Sequence, residues 1–168
     1  MEIERKFLVS DVFKIGLNLN DYNCKTIKQD YLYVDKLTAI RKRRIIVNDK
    51  STYYYTIKTG KKGISVNEIE NEIDEETYNT LETNASYNSI IKKRYFIPYL
   101  DDLTIELDVF EGMYNGLVFA EIEYKDENQA TTIKLPAWFG KEISNLITNS
   151  DMAKKTSKEI FDILNRSM

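Results

Sequence analysis

Apolar and polar residues alternate with a period of two along most of this chain, the pattern of strands that present one face to a core and the other to a polar environment. Tyr, Ile, Val, Phe and Thr, which favour strands, are abundant. The alternation predicts eight strands, at about 2–9, 25–34, 38–47, 51–59, 64–73, 89–98, 102–110 and 116–125. Helical spacing appears at Glu75 to Thr83 behind the cap candidate Asp74, at Ala137 to Ile147 behind Pro136, and at roughly Lys155 to Asn165. A short helical turn is expected near Ser10 to Ile15. Eight strands with short connections predict an antiparallel sheet that curls or closes.

The polar half of the alternation is unusual because charges of one sign fall together. Glu2, Glu4 and Lys6 share a face of the first strand, and Arg41 and Arg43 share a face of the third. Lys58 shares a face with Thr56 and Tyr54, and Glu68, Glu70 and Glu72 occupy one face of the fifth strand. Lys92 and Arg94 pair in this way on the sixth, Glu106 and Asp108 on the seventh, Glu121 and Glu123 on the eighth. A water-washed sheet face also produces charges at every second position. Such a face favours mixed signs between neighbours, however, and Glu-x-Glu pairs repel unless a cation sits between them. If helices cover the apolar side, the charged side becomes the lumen of a barrel. Arg5, Lys42, Arg44 and Lys93 fall on the opposite, outer face and are expected to be solvated; Tyr53 and Tyr55 are expected to pack against covering helices.

Composition narrows the chemistry. The 168 residues suit one domain, 1–168, and 42% hydrophobic with 30% charged residues reads as globular. A net charge of −3 argues against a nucleic-acid-coating protein. No apolar run reaches the roughly 20 residues of a membrane span, the amino terminus is charged at once, and Cys24 is the only cysteine, so the expectation is a cytoplasmic protein without disulfides. The chain has no histidine, which removes Ser-His-Asp, Cys-His and His-ligated zinc chemistry. A metal would be held by oxygen, as Mg2+, Mn2+ or Ca2+ are. Carboxylates for a hard cation, together with clustered Arg and Lys for phosphate oxygens, describe a site for a metal–polyphosphate complex. There is no Walker-type glycine loop; Gly60, Gly63, Gly112 and Gly116 fit turns.

The motifs resemble those of the CYTH superfamily, the triphosphate tunnel metalloenzymes. Glu2-Ile3-Glu4-Arg5-Lys6 is similar to the family's Glu-x-Glu-x-Lys signature. Arg41-Lys42-Arg43, Thr56-Ile57-Lys58, Glu68-Ile69-Glu70-Asn71-Glu72, Lys92-Lys93-Arg94-Tyr95, Glu106-Leu107-Asp108-Val109-Phe110 and Glu121-Ile122-Glu123 come next in order, and Pro136 to Glu142 resembles the segment after the last strand. The wording at the amino terminus looks most like the bacterial tripolyphosphatase group. The resemblance implies an α+β fold: an eight-stranded antiparallel β-barrel, or tunnel, with a polar lumen and helices packed outside. It implies hydrolysis of a triphosphate, first of all inorganic tripolyphosphate to pyrophosphate and phosphate, with Mg2+ or Mn2+. The alternatives within the resemblance are an adenylate cyclase or a nucleoside or thiamine triphosphatase, and beyond these a polyphosphate-binding module without turnover.

On that reading Glu2, Glu4 and Lys6 are catalytic, and Arg41, Arg43, Lys58, Lys92 and Arg94 bind substrate. The metal ligands would come from Glu2, Glu4, Glu106, Asp108, Glu121 and Glu123. Glu68, Glu70 and Glu72 are read equally as metal ligands or as partners of the lumen cations. The family's Tyr-x-Asn stretch near the carboxyl end, ahead of a helix that plugs the tunnel, is matched only loosely by Asp151 to Thr156; Lys154 and Lys155 are read first as a solvated helix start and second as cations that would reach a phosphate. The partner is a small triphosphate, with no nucleic acid and no membrane, and the outer apolar content would suit a homodimer.

Overall fold

The structure is a computed structural model that describes residues 2–10, 15–60 and 65–166. The expected turn at Ser10 to Ile15 and the turn at Gly63 lie largely or wholly outside these residues. Eight strands form, each within two residues of its expected limits: β1 (Glu2–Leu8), β2 (Asn23–Val34), β3 (Thr38–Val47), β4 (Lys50–Thr59), β5 (Ser65–Ile73), β6 (Ile90–Pro98), β7 (Thr104–Phe110) and β8 (Val118–Tyr124). They close into a barrel in the order β1-β5-β4-β3-β2-β6-β7-β8, with every pairing antiparallel. Closure leaves few free strand edges, which is why eight half-polar strands can form one stable sheet. At the β3–β4 turn, Asn48 and Asp49 take φ of 49° and 63°. This is the two-residue hairpin geometry whose twist matches the strands, and short polar side chains tolerate it best.

Two apolar clusters hold the barrel from different sides. Outside, Ile105, Leu107, Ala120 and Ile122 of β7 and β8 pack against Ala130 of helix α2 (Glu127–Thr132), with Trp138 and Phe139 at the margin. Helix α1 (Glu75–Thr80) is capped by Asp74, which accepts from the Thr77 amide at 2.7 Å, and its Tyr78 ring lies 4.8 Å from Tyr53 on β4. The second cluster sits at one end of the barrel. Tyr31, Ile90, Phe110 and Phe119 point inward there and meet Ile143, Ile147, Met152, Ile160 and Leu164. Helices α3 (Asn149–Met152) and α4 (Ser157–Arg166) therefore stopper one end, where the resemblance implies a plugging helix, while α1 and α2 pack on the outer wall.

The expected helix at Ala137 to Ile147 does not form. Pairing between β1 and β5 covers only Glu2↔Val66 and Ile3↔Ser65, so the rest of that β1 edge needs a partner. Residues 140–144 supply it in extended form: Gly140 N donates to Leu8 O, Leu8 N to Lys141 O and Ile143 N to Lys6 O, each at 2.8 Å, and Lys6 N donates to Ser144 Oγ at 2.9 Å. Only glycine fits at 140, because a Cβ there would lie 2.5 Å from Leu8 O.

Two outer cations also differ from expectation. Lys42 is buried, at 8% exposure; its Nζ donates to the carbonyls of Tyr78 at 2.9 Å and Leu81 at 2.8 Å and stands over the Tyr78 ring. These are unpaired carbonyls at the carboxyl end of α1, so the lysine caps the helix. Arg5 is held by Glu142 at 2.6 and 3.1 Å and by Ala130 O at 2.6 Å. Removing the cap in Lys42→Ala is expected to cost about 1–3 kcal/mol in urea unfolding, with the lumen undisturbed; an unchanged midpoint would contradict the capping role.

Candidate active site

Strand alternation delivers the charged residues to one enclosed space. Glu2, Glu4, Lys6, Arg41, Arg43, Lys58, Lys92, Arg94, Glu106, Glu121 and Glu123 all line a single cavity of about 900 Å³, together with Glu68 and Glu70. Glu72, at the exposed end of β5, does not reach it. Asp108 is fully buried below the cavity surface, where Lys92 Nζ donates to it at 2.6 Å and Arg94 at 2.7 and 2.8 Å. Both its oxygens accept hydrogen bonds from cations, so in this structure it braces Lys92 and Arg94 from beneath the cavity. That departs from the sequence reading, which could not see that β6 and β7 set Arg94 directly opposite Asp108.

Each cation has an acidic neighbour. Lys6 stands 3.5 Å from Glu121, Arg41 3.6 Å from Glu68, Arg43 3.2 Å from Glu70, and Lys58 3.4 Å from Glu2 and 3.8 Å from Glu68. Arg94 also meets Glu106 at 2.9 Å and Glu121 at 3.8 Å. Glu68 and Glu70 thus partner lumen cations. The satisfaction is incomplete: the Nε atoms of Arg41 and Arg43 are buried and without a hydrogen-bond partner. Buried donors of this kind call for an acceptor, from water or from an anionic ligand.

The titration behaviour shows crowding of both signs. Burial, followed by hydrogen bonds with the Glu68 and Glu4 carboxyls, pushes Glu2 up to about 10. Burial opposes ionisation of Glu4 as well, but the hydrogen bond from Glu2 and the charges of Lys58 and Lys6 hold it down to about 2. Glu2 and Glu4 therefore behave as a pair sharing a proton. Burial, then the neighbouring charges of Arg41 and Arg94, brings Arg43 down to about 10. Burial draws Lys92 down to about 7 against the pull of Asp108. Burial likewise raises Glu106, with Arg94 opposing.

The donor set suits a hard divalent cation. Glu2, Glu68, Glu70 and Glu123 surround a hollow of about 290 Å³, and every donor is oxygen. Among the described residues no three acidic side chains are already drawn into one ligand shell, so a cation would have to take carboxylates from their lysine and arginine partners.

Several lining residues were not singled out from sequence. Lys25 lies on the inward parity of β2, a signal that was available; Thr56, which shares the inward parity of β4 but is fully buried away from the cavity surface, donates its hydroxyl to Glu70 at 3.2 Å. Ser144 enters from the extended segment that was expected to be helical, and Thr148, Asn149 and Ser150 from the start of α3, where no periodicity points inward. Of the two carboxyl-terminal lysines, Lys154 lines the cavity; Lys155 is not among the lining residues.

Comparison with known proteins gives a concordant picture. A CYTH domain model matches residues 1–158. An inorganic triphosphatase of Acetivibrio thermocellus is 35% identical over 160 residues, covering 94% of this chain and 96% of that protein. An inorganic triphosphatase of Nitrosomonas europaea is 30% identical over 143 residues, covering 85% and 89%. A crystal structure of an inorganic triphosphatase superposes with a TM-score of 0.62 at 27% identity, covering 92% of this chain and 95% of the other.

Proposed function

The chain belongs to the CYTH domain family, and on that premise we propose that it is a divalent-metal-dependent triphosphatase, one domain over 1–168, that hydrolyses inorganic tripolyphosphate to pyrophosphate and phosphate. The observation that carries the reading is the enclosed lumen in which Arg41 and Arg43 keep buried, unpartnered Nε donors beside a carboxylate cluster. A polyanion supplies the acceptors that those two donors lack.

Arg41, Arg43, Lys58, Lys92 and Arg94 hold the non-bridging phosphate oxygens. Substrate oxygens replace Glu68 and Glu70 as partners of Arg41 and Arg43, so binding exchanges one set of ion pairs for another and avoids stranding buried charge. Asp108 fixes the direction of Lys92 and Arg94. Lys6, flanked by Glu4 and Glu121, addresses the terminal phosphate or the attacking water. Glu2, Glu4, Glu121 and Glu123, with Glu106, are the residues that would hold Mg2+ or Mn2+, and such an ion supplies charge neutralisation and Lewis-acid polarisation of phosphate oxygens. Glu4 orients the water by accepting its hydrogen. Water oxygen bonds to the terminal phosphorus, the bridging P–O bond breaks, and the arginines stabilise the charge that moves to the pyrophosphate leaving group. No covalent protein intermediate is required.

Among the described residues no helix is long and apolar enough to cross a membrane. A cytoplasmic homodimer acting on a free small molecule, with neither nucleic acid nor membrane as partner, belongs to the same reading; exposed Ile69 and Tyr33 on the outer wall support the dimer.

The test is incubation with tripolyphosphate, ATP and thiamine triphosphate, each with Mg2+ or Mn2+, while following phosphate, pyrophosphate and cyclic AMP. Tripolyphosphate is expected to give equal phosphate and pyrophosphate, and EDTA to stop the reaction. Cyclic AMP from ATP, or hydrolysis undiminished in EDTA, would overturn the proposal.

A further inference from the structure

Gln29, in the middle of β2, is fully buried, and among the described residues neither its amide oxygen nor its amide nitrogen has a hydrogen-bond partner. Ile27 and Tyr31, two residues to either side, line the cavity, so Gln29 shares their inward parity while lying beneath the cavity surface. A buried amide with both ends unsatisfied is costly, and an apolar side chain of the same shape would avoid that cost. Directly across on β3 stands Arg43, whose Nε is likewise buried and without a partner. A donor and an acceptor that both lack partners therefore sit on neighbouring strands and are not joined.

They are kept apart by the direction in which Arg43 leans. Its own cross-strand row runs Gln29, Arg43, Tyr54, Glu72. Its Nη1 instead donates to Glu70 at 3.2 Å, and Glu70 belongs to the next row, opposite Thr56. The guanidinium is thus drawn diagonally towards β5, away from β2. In the barrel β2 separates β3, with Arg41 and Arg43, from β6, with Lys92 and Arg94. A phosphate chain shared by those two pairs of cations lies over β2, and Arg43 has to swing back from Glu70 to reach it.

We propose that Gln29 is a positioning residue for Arg43: its amide oxygen accepts from Arg43 Nε once the guanidinium leaves Glu70 for a polyanion, and this bond holds the arginine over β2. Gln29 itself touches no phosphate. The inference rests on the triphosphatase reading of the lumen and adds to it a second resting place for one arginine. The unsatisfied amide is then a cost borne by the empty barrel and relieved on binding.

Gln29→Met keeps the volume of the side chain and removes both polar atoms. Urea unfolding of the ligand-free variant is expected to give a midpoint at or above that of the wild type. Calorimetry in EDTA should show tripolyphosphate bound about tenfold more weakly, the scale of one hydrogen bond to a charged donor. In an Arg43→Met background, which has no donor for Gln29 to hold, the same substitution should change the affinity less than twofold. Gln29→Leu should repeat the pattern and serves where the methionine packs badly. Unchanged affinity in Gln29→Met, or a tenfold loss that persists in the Arg43→Met background, overturns the role of Gln29 and leaves the lumen reading standing. A wild-type protein that binds no tripolyphosphate removes the lumen reading and this proposal with it.

Discussion

Glu4→Gln is expected to lower metal-dependent tripolyphosphate turnover on the order of a hundredfold or more while leaving the melting temperature within a few degrees of wild type. The side chain keeps its shape and loses only its charge, so the backbone pairing of β1 with β8, Glu4 opposite Glu123, has no reason to change. What disappears is the one member of the Glu2–Glu4 pair that is held ionised at neutral pH, here by a hydrogen bond from Glu2 and by Lys58 and Lys6. A neutral amide is a poor ligand for a hard cation and a poorer acceptor for the attacking water, and either loss falls on the transition state. Steady-state kinetics should show the loss in kcat as well as kcat/KM. Turnover at wild-type rate would take Glu4 out of the machinery.

Asp108→Ala is expected to damage the fold. The side chain it removes is inaccessible to solvent and bonds to both Lys92 and Arg94. Without it two buried cations face each other with only Glu106 and Glu121 near, and breaking a buried pair from one side typically costs about 3–5 kcal/mol. Urea unfolding of the metal-free protein measures this. The experiment also separates the two roles that the residue could have. A brace loses stability with or without metal, whereas a ligand loses metal affinity and leaves the metal-free midpoint where it was. Asp108→Asn, which keeps volume and one acceptor, should fall between the wild type and the alanine variant.

Glu4 lines the cavity whereas Asp108 lies buried beneath it, and the difference shows what sequence can carry. Period-two alternation determines which side of a strand a residue occupies, so Glu2, Glu4, Arg41, Arg43, Lys92, Arg94 and Glu121 were all legible as neighbours of a common space. Alternation says nothing about which strands lie side by side or how deep a residue sits. Asp108 shares its parity with Glu106, yet register against β6 sinks it beneath Arg94. Lys42 is the mirror case on the outer wall: parity put it outside, and only the arrival of α1 buried it. The helix read at Ala137 to Ile147 failed for a related reason. Its apolar spacing fits a helix, but Ile143 and Ile147 serve the stopper at the barrel end while the backbone around them answers an unpaired edge of β1. The short α2 was missed because six residues cap and pack without leaving a long periodic trace.

The stitch between β1 and residues 140–144 joins positions up to 138 apart in sequence, as in Lys6 to Ser144. During synthesis the first strand leaves the ribosome long before either β8 or this stitch exists, so it must wait with an edge bare while six other strands appear. Folding should accordingly be slow and late, committed only near the end of translation, and the nascent chain is the form most exposed to aggregation.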